Sequence, residues 1–256
     1  MSTELGRLRP KVAVGALASP LEVGADRAPQ AAADLAGVLH QAGCEVVPLG
    51  AIVTADAAAA AGRQLAGIGV DALALAPASW FEDYLVLDLL EECPLPVCLW
   101  PLPGMETGAL CGTQQLTCIL RPLRRPFEAV FGTIEAGASL DQACRFLQAA
   151  ALHRRLRRAR IGLAGQRVRG MTEVAVTELA LKAAIGPRVV PVDLPGLLQR
   201  ARTADAAAVQ IGRASCRERV AVAESAGLEA AGMVLAIRDV VRQEGLAALA
   251  FGCYPD

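Results

Sequence analysis

The chain has 256 residues, a formal net charge of −1 and 54% apolar side chains, enough for one large or two medium α/β domains with a sizeable core. The charge balance argues against a nucleic-acid footprint or an anionic membrane surface as partner. No apolar run approaches the roughly 20 residues that span a bilayer, and the start "MSTELGRLRPK" lacks the apolar core of a signal peptide, so a cytosolic protein is expected.

Short apolar runs alternate with helical patterns from the start. "KVAVGAL" (Lys11 to Leu17) predicts a buried strand. A helix follows from about Asp26, with Leu35, Val38, Leu39 and Ala42 on one face and Gly43 as its stop. "CEVVPLG" is the next strand. Thr54 then caps an alanine-rich helix that carries Leu65 and Ile68 inward. "DALALAPAS" (Asp71 to Ser79) predicts a strand apolar on both faces. The helix "YLVLDLLEE", the strand "PVCLWPL" (Pro96 to Leu102), the strand "EAVFGTI" (Glu128 to Ile134) and a helix from Ser139 to about Arg158 complete a first domain, 1–158.

The pattern then restarts. "ARIGLAG" (Ala159 to Gly165) is a strand, a helix spans Met171 to about Ile185, and Gly186 stops it. "RVVPVDL" is the following strand, and Pro195 starts a helix through "GLLQRA". A helix including Leu228, Met233, Ile237 and Val241 leads into the strand "LAALAFGCYPD". The expected fold is α/β: two consecutive three-layer, doubly wound, Rossmann-like domains with mainly parallel sheets, 1–158 and 159–256. Because the last strand has no crossover helix after it, the second domain is expected to be incomplete.

A sheet of this kind places its ligand site beyond the carboxyl ends of its strands. Those ends are "GALASPLEVGADR", "PASWFED" and "LPGMETG". The common nucleotide and acyl-transfer signatures are missing there. No GxGxxG or GxxxxGK[ST] occurs, lysine stands only at Lys11 and Lys182, and no GxSxG elbow exists. The two histidines, His40 and His153, fall toward helix ends, where the dipole favours them without any catalytic role. Glu22, Asp26, Glu82, Asp83 and Glu106 all lie on strand-end loops, where acid–base or metal chemistry could use them and where solvation explains any single one. The eight cysteines include no CxxC pair, so a zinc ribbon is excluded. Cys44 and Cys98 in strands and Cys144 in a helix are expected to be reduced core residues.

"QIGRASCRERV", from Gln210 to Val220, stands apart from its alanine- and leucine-rich surroundings. Arg213, Arg217 and Arg219 could form a phosphate patch, or Cys216 an activated thiolate. Residues 211–220, however, correspond codon for codon to ATC GGA AGA GCG TCG TGT AGG GAA AGA GTG, part of a common sequencing adapter. They are read here as a library artefact and excluded from fold reasoning. Without the three arginines and one glutamate of that segment the net charge is −3. Recovery of the same codons from source DNA would sink this reading.

Two longer stretches carry a family resemblance. "APASWFEDYLVLDLLEECPLPVCLWPLPGMETGALCGTQQL" resembles the amino-terminal domain of the L-fucose isomerase and L-arabinose isomerase family, in which an aromatic follows the third strand and a "PxxLW" strand runs into a Gly-rich loop. "GQRVRGMTEVAVTELALKAAIGPRVVPVDLPGLL" is similar to that family's next domain, and "LAALAFGCYPD" to its "GLDALAIQCWPE" strand. The resemblance implies a metal-dependent aldose–ketose isomerase, oligomeric, acting on a sugar of the L-fucose or L-arabinose type through an enediol, with manganese or another divalent ion as cofactor. A metal suits that chemistry because it holds two substrate oxygens and stabilises the charge that develops on them. The family's two carboxylates and histidine that bind the metal would fall beyond Asp256, so this chain is expected to bind no metal and to be inactive alone, as the amino-terminal part of the parent enzyme. Carry-over is limited to sugar contacts: Trp80 and Phe81 at the stacking aromatic, Arg27 after the first strand, Met171 at the family's "NMREVAVT" methionine and Thr172 beside it. For Trp80 a core-sealing role and for Thr172 N-capping are the plainer alternatives. A non-catalytic sugar-binding α/β protein is the rival reading of the whole.

Overall fold

The computed structural model describes residues 8–104, 106–167, 170–175, 177–209 and 224–252. The fold is α/β with two parallel sheets, as the alternation predicted. The chain divides into two compact units, Met1–Arg154 and Arg155–Asp256.

Unit 1 is built on a five-stranded sheet of order β2-β1-β3-β4-β5, its strands being β1 (Lys11–Leu17), β2 (Glu45–Ile52), β3 (Ala72–Pro77), β4 (Val97–Leu99) and β5 (Phe127–Ala129). Every pair is parallel. The central strand β3, "ALALAP", is buried at all six positions, and its alternation sorts residues by size. Ala72, Ala74 and Ala76 face α1 (Ala28–Gln41) and α5 (Ala138–Arg158), whose Leu35, Leu39, Ala143 and Leu147 join the same core. Leu73 and Leu75 face the opposite layer, α2 (Ala55–Ile68), α3 (Tyr84–Glu92) and α4 (Ala109–Leu120). Two packed layers therefore enclose the sheet, as a parallel sheet requires.

Close approach between helices is set by a glycine. A Cβ on Gly62 of α2 would lie 2.6 Å from the carbonyl oxygen of Leu89 on α3, so only glycine lets the two helices meet there. Beside it Arg63 pairs with Glu92 at 3.1 Å. Thr54 caps α2 as expected, accepting the N–H of Ala57 at 3.2 Å.

Several expected details differ. Helix α1 begins at Ala28, after a 3-10 turn at Ala25–Arg27, because Pro29 fits only the first turn of an α-helix. Its inner face is Ala28, Ala31, Ala32, Leu35 and Leu39, whereas Val38 is half-buried and Ala42 exposed. Ile68, expected inward, is 37% exposed at the last turn of α2. Cys44 is buried but precedes β2, and β5 stops at Ala129, leaving Phe131 exposed. Helix α4 follows the β4 loop directly and has no counterpart among the expected elements.

Unit 2 carries the sheet β7-β6-β8, all parallel, with β6 at Arg160–Ala164, β7 at Arg188–Val192 and β8 at Ala248–Phe251. Helices α7 (Leu194–Arg202) and α8 (Glu224–Glu244) cover one face through Leu197, Ala236 and Val240, with Val190, Val192 and Leu249 of the sheet against them. The helix expected from Met171 is instead a 3-10 turn, Thr172–Val174, followed by the short α6, Glu178–Ala184. Residues 211–220, set aside above as an artefact, lie outside the described residues.

Candidate functional site

The order 2-1-3-4-5 reverses direction between β1 and β3. The loop after β1 runs to α1 on one face, and the loop after β3 runs to α3 on the other, so the carboxyl ends of these two strands mark the switch point where such sheets bind ligands.

The base of this switch point is stitched by hydrogen bonds. Ser19, after β1, donates its N–H to the Trp80 carbonyl at 3.0 Å and to Ser79 Oγ at 3.1 Å. Ser79 is fully buried, and its hydroxyl donates in turn to the Trp80 carbonyl at 2.7 Å. Ser19 Oγ reaches Glu82 Oε1 at 3.3 Å. The loop after β4 is fastened to the same place, since Trp80 donates its N–H to the Thr107 carbonyl at 2.6 Å.

Trp80 is half-buried and held along its length. Its indole N–H donates to Gln115 Oε1 at 3.2 Å, and Gln115 Nε2 donates to Asp83 Oδ2 at 3.2 Å. Against the Trp80 backbone, Gly108 sits in the left-handed region at φ 65°, and a Cβ there would lie 2.9 Å from Trp80 Cβ. A glycine is therefore needed both for the turn into α4 and for the seat of the tryptophan.

Arg27 reaches across to the β4 loop, where its guanidinium meets Glu106 Oε1 at 3.4 Å. Glu106 is held below the usual carboxylate range, first by its own backbone N–H and then by Arg27. Both side chains are exposed.

These contacts gather Trp80, Ser19, Glu82, Asp83 and Gln115 at one end of the sheet, with Arg27 and Glu106 on the same strand-end loops. The set offers a half-buried aromatic with carboxylate and amide groups beside it. It suits a ligand with a partly apolar face and several hydroxyls.

Phe81 departs from its expected place. It is only 1% exposed, packed in the core with Leu85, Leu89 and Leu116, and its ring lies where a Cβ on Gly112 would be 2.9 Å away. Phe81 cannot reach a ligand from there, and the platform is Trp80 alone. Glu22 and Asp26 are exposed on the β1 loop. His40 and His153 are exposed on α1 and α5.

Met171 and Thr172 belong to unit 2, on the loop after β6. Met171 is 44% exposed and Thr172 is exposed within its 3-10 turn. Thr172 caps no α-helix, since α6 starts after Thr177.

Among the described residues no three His, Cys, Asp or Glu side chains converge as metal ligands. The manganese that the resemblance implies does not fit the donors present among these residues. No helix among the described residues is long and apolar enough to cross a membrane.

Gln115, Thr107 and Gly108 were missed from sequence because α4 was missed. Its signal was the spacing Gly112, Leu116, Leu120, all buried in the structure, which two glycines at its start disguised.

No protein-family model matches the chain, and no curated protein is significantly similar to it. The resemblance to the isomerases therefore rests on the quoted motifs.

Proposed function

We propose that this chain supplies sugar-contacting parts of a metal-dependent aldose–ketose isomerase acting on a sugar of the L-fucose or L-arabinose type, in the cytoplasm and as a homo-oligomer. The observation that supports the reading most is Trp80: a half-buried indole fixed at both its backbone and its ring nitrogen, at the switch point of a parallel sheet, among side chains suited to hydroxyls.

A pyranose has an apolar face of C–H groups and a rim of hydroxyls. An indole covers the first, while carboxylate and amide oxygens accept from the second. Arg27 and Glu106 would contact one edge of the sugar once their mutual ion pair, exposed and weak, exchanges for hydroxyl partners. Met171 and Thr172, which the same resemblance marks as sugar contacts, stand on the loop after β6 in unit 2. The family's isomerisation would need a divalent ion, and its ligands would come from outside the described residues.

The experiment follows from the two tryptophans. Trp100 is fully buried, its indole N–H donating to the Gly132 carbonyl at 3.0 Å, so a change in fluorescence on adding an aldose reports Trp80. Titration of L-fucose, L-arabinose and their stereoisomers should shift the emission saturably, and Trp80→Phe should remove most of that shift. A flat response to every aldose, at concentrations up to the weak millimolar range of about −4 kcal/mol, defeats the reading. Ketose formation by this chain on adding manganese would overturn the expectation that it is inactive alone.

A further inference from the structure

Two thiols of unit 1 share one cavity at the amino-terminal end of the sheet, opposite the switch point. Its walls come from three segments: Arg9 and Pro10 leading into β1, Gly43 and Cys44 leading into β2, and Cys144 and Gln148, one turn apart on α5. The cavity measures about 270 Å³, several times the roughly 30 Å³ that a water molecule occupies. Both cysteines are free.

The surrounding contacts fix where the two sulfurs sit. Cys44 donates its N–H to the Leu39 carbonyl at 3.0 Å, and the Gly43 carbonyl before it accepts from Arg9 Nε at 3.3 Å. The Cys44 side chain is 2% exposed and belongs to the same core cluster as Ala143 and Leu147 of α5. Cys144 directly follows Ala143, so the helix delivers its thiol to the cavity where Cys44 meets α5. Burial raises the Cys44 thiol, the neighbouring Cys144 adds to the rise, and the Arg9 guanidinium opposes both.

Access separates their roles. Cys144 is half-buried and Cys44 buried, so a small oxidant entering the cavity reaches Cys144 first, with Cys44 behind it. A thiol that meets the oxidant beside a second thiol that resolves the product is the arrangement of a redox-sensitive pair.

We propose that Cys44 and Cys144 are a modification site for peroxides, closing a reversible disulfide that fastens α5 to the turn between α1 and β2. The Cys144 sulfur attacks the peroxide O–O bond and becomes a sulfenic acid as the first water or alcohol leaves. The Cys44 sulfur then attacks the Cys144 sulfur, and the sulfenic hydroxyl departs as water with the Cys44 proton. Two electrons pass from the two thiols to the O–O bond, and a thiol reductant reverses the change. The bond needs Cβ atoms about 4 Å apart, and the shared cavity gives both side chains room to turn. The inference stands apart from the sugar reading, since neither cysteine belongs to the switch point.

The full chain is treated with hydrogen peroxide, alkylated, and mapped by mass spectrometry of unreduced peptides, with circular dichroism followed in parallel. A native protein carrying a Cys44–Cys144 link, lighter by two hydrogen atoms and restored by dithiothreitol, is expected. The link closes a loop of about 100 residues, so the oxidised form should melt roughly 5 to 10 °C above the reduced one. Cys144→Ser should remove both the link and the shift. Cys98→Ala should keep both, because Cys98, although buried in the same core, does not line the cavity. Absence of an intramolecular link, a link from Cys144 to Cys98 instead, a Cys44–Cys144 link that appears only after the dichroism signal is lost, or a link without a higher melting temperature overturns the proposal.

Discussion

Trp80 and Gln115 are joined by a hydrogen bond of 3.2 Å from the indole N–H to the amide oxygen, which links the loop after β3 to helix α4. The orientation of the indole thus depends on a helix that begins only after Gly108. Platform and support come from different strand-end loops, which is the usual construction at a switch point.

Trp80→Ala should weaken sugar binding by one to two orders of magnitude, roughly 1.4 to 2.8 kcal/mol. Gln115→Ala keeps the ring and frees its orientation, so a smaller loss of about 1 kcal/mol is expected, close to one hydrogen bond. Isothermal titration reads the affinities and circular dichroism the folding. Should Trp80→Ala instead unfold the protein, with a loss of ~3–5 kcal/mol and no selective binding defect, the tryptophan is sealing the core rather than meeting a ligand.

Two glycine-to-alanine changes should have opposite signs. Gly37 lies mid-helix in α1 with nothing within 4 Å of a built Cβ, so Gly37→Ala gains helix propensity, about 0.5–1 kcal/mol. Gly62→Ala gains the same propensity but drives its methyl to 2.6 Å from the Leu89 carbonyl and 2.7 Å from Glu92 Cβ. Backbone cannot step aside as a flexible side chain can, so an overpacking cost of about 1–3 kcal/mol should win. Urea melts of both variants read the result, and a stabilised Gly62→Ala would contradict the packing of α2 on α3.

Asp71 ties three elements together at the amino end of β3. It accepts the Lys11 N–H at 2.9 Å and the Arg154 guanidinium at 3.2 Å, and Arg154 also donates to the Gly69 carbonyl. Asp71 is 9% exposed, so its loss strands a backbone N–H and a half-buried cation. Asp71→Ala should cost about 2–3 kcal/mol, the range for hydrogen bonds to charged groups. Arg154→Ala should cost less, because the freed carboxylate keeps the Lys11 N–H. Equal melting temperatures for the two variants would show that Asp71 acts through Arg154 alone.

Strand and helix alternation made the α/β class readable, because "ALALAP" buried on both faces can only be a central strand, and "YLVLDLLEE" matched α3 to the residue. What the pattern could not carry was geometry decided elsewhere in the chain. Phe81 and Trp80 are neighbours of the same type, yet one faces the core because Gly112 makes room for its ring, a fact held thirty residues away. Ile68 was placed inward by spacing alone, yet it is the last residue of α2, beside its Gly69 cap, and is 37% exposed. Gln115 and Glu106 became site residues only when the loop after β4 folded back on Trp80, and no local signal announces such a contact.

The cysteines supply a pH-dependent test. Burial pushes the Cys44 thiol up to about 11, with Cys144 adding and Arg9 opposing, and burial pushes Cys98 up to about 12, with Glu128 and Cys144 adding. Both are raised above the ordinary 9.0. Since the thiolate is the reacting form, Cys44 holds about 100-fold less of it at neutral pH than a free thiol would. Iodoacetamide labelling, mapped residue by residue, should therefore mark the exposed Cys111 and Cys118 and spare Cys44 and Cys98. The sign for stability follows from the same shifts. The folded protein holds these protons more tightly than the unfolded chain, so their contribution is fully present below about pH 9 and is lost as pH rises through 11 and 12. The urea midpoint should fall over that window, and the fall should be shallower in a Cys44→Ala, Cys98→Ala variant, which has neither thiol to ionise. An identical alkaline slope in the two proteins would mean that other groups set it and that these thiols ionise as freely when folded as when unfolded.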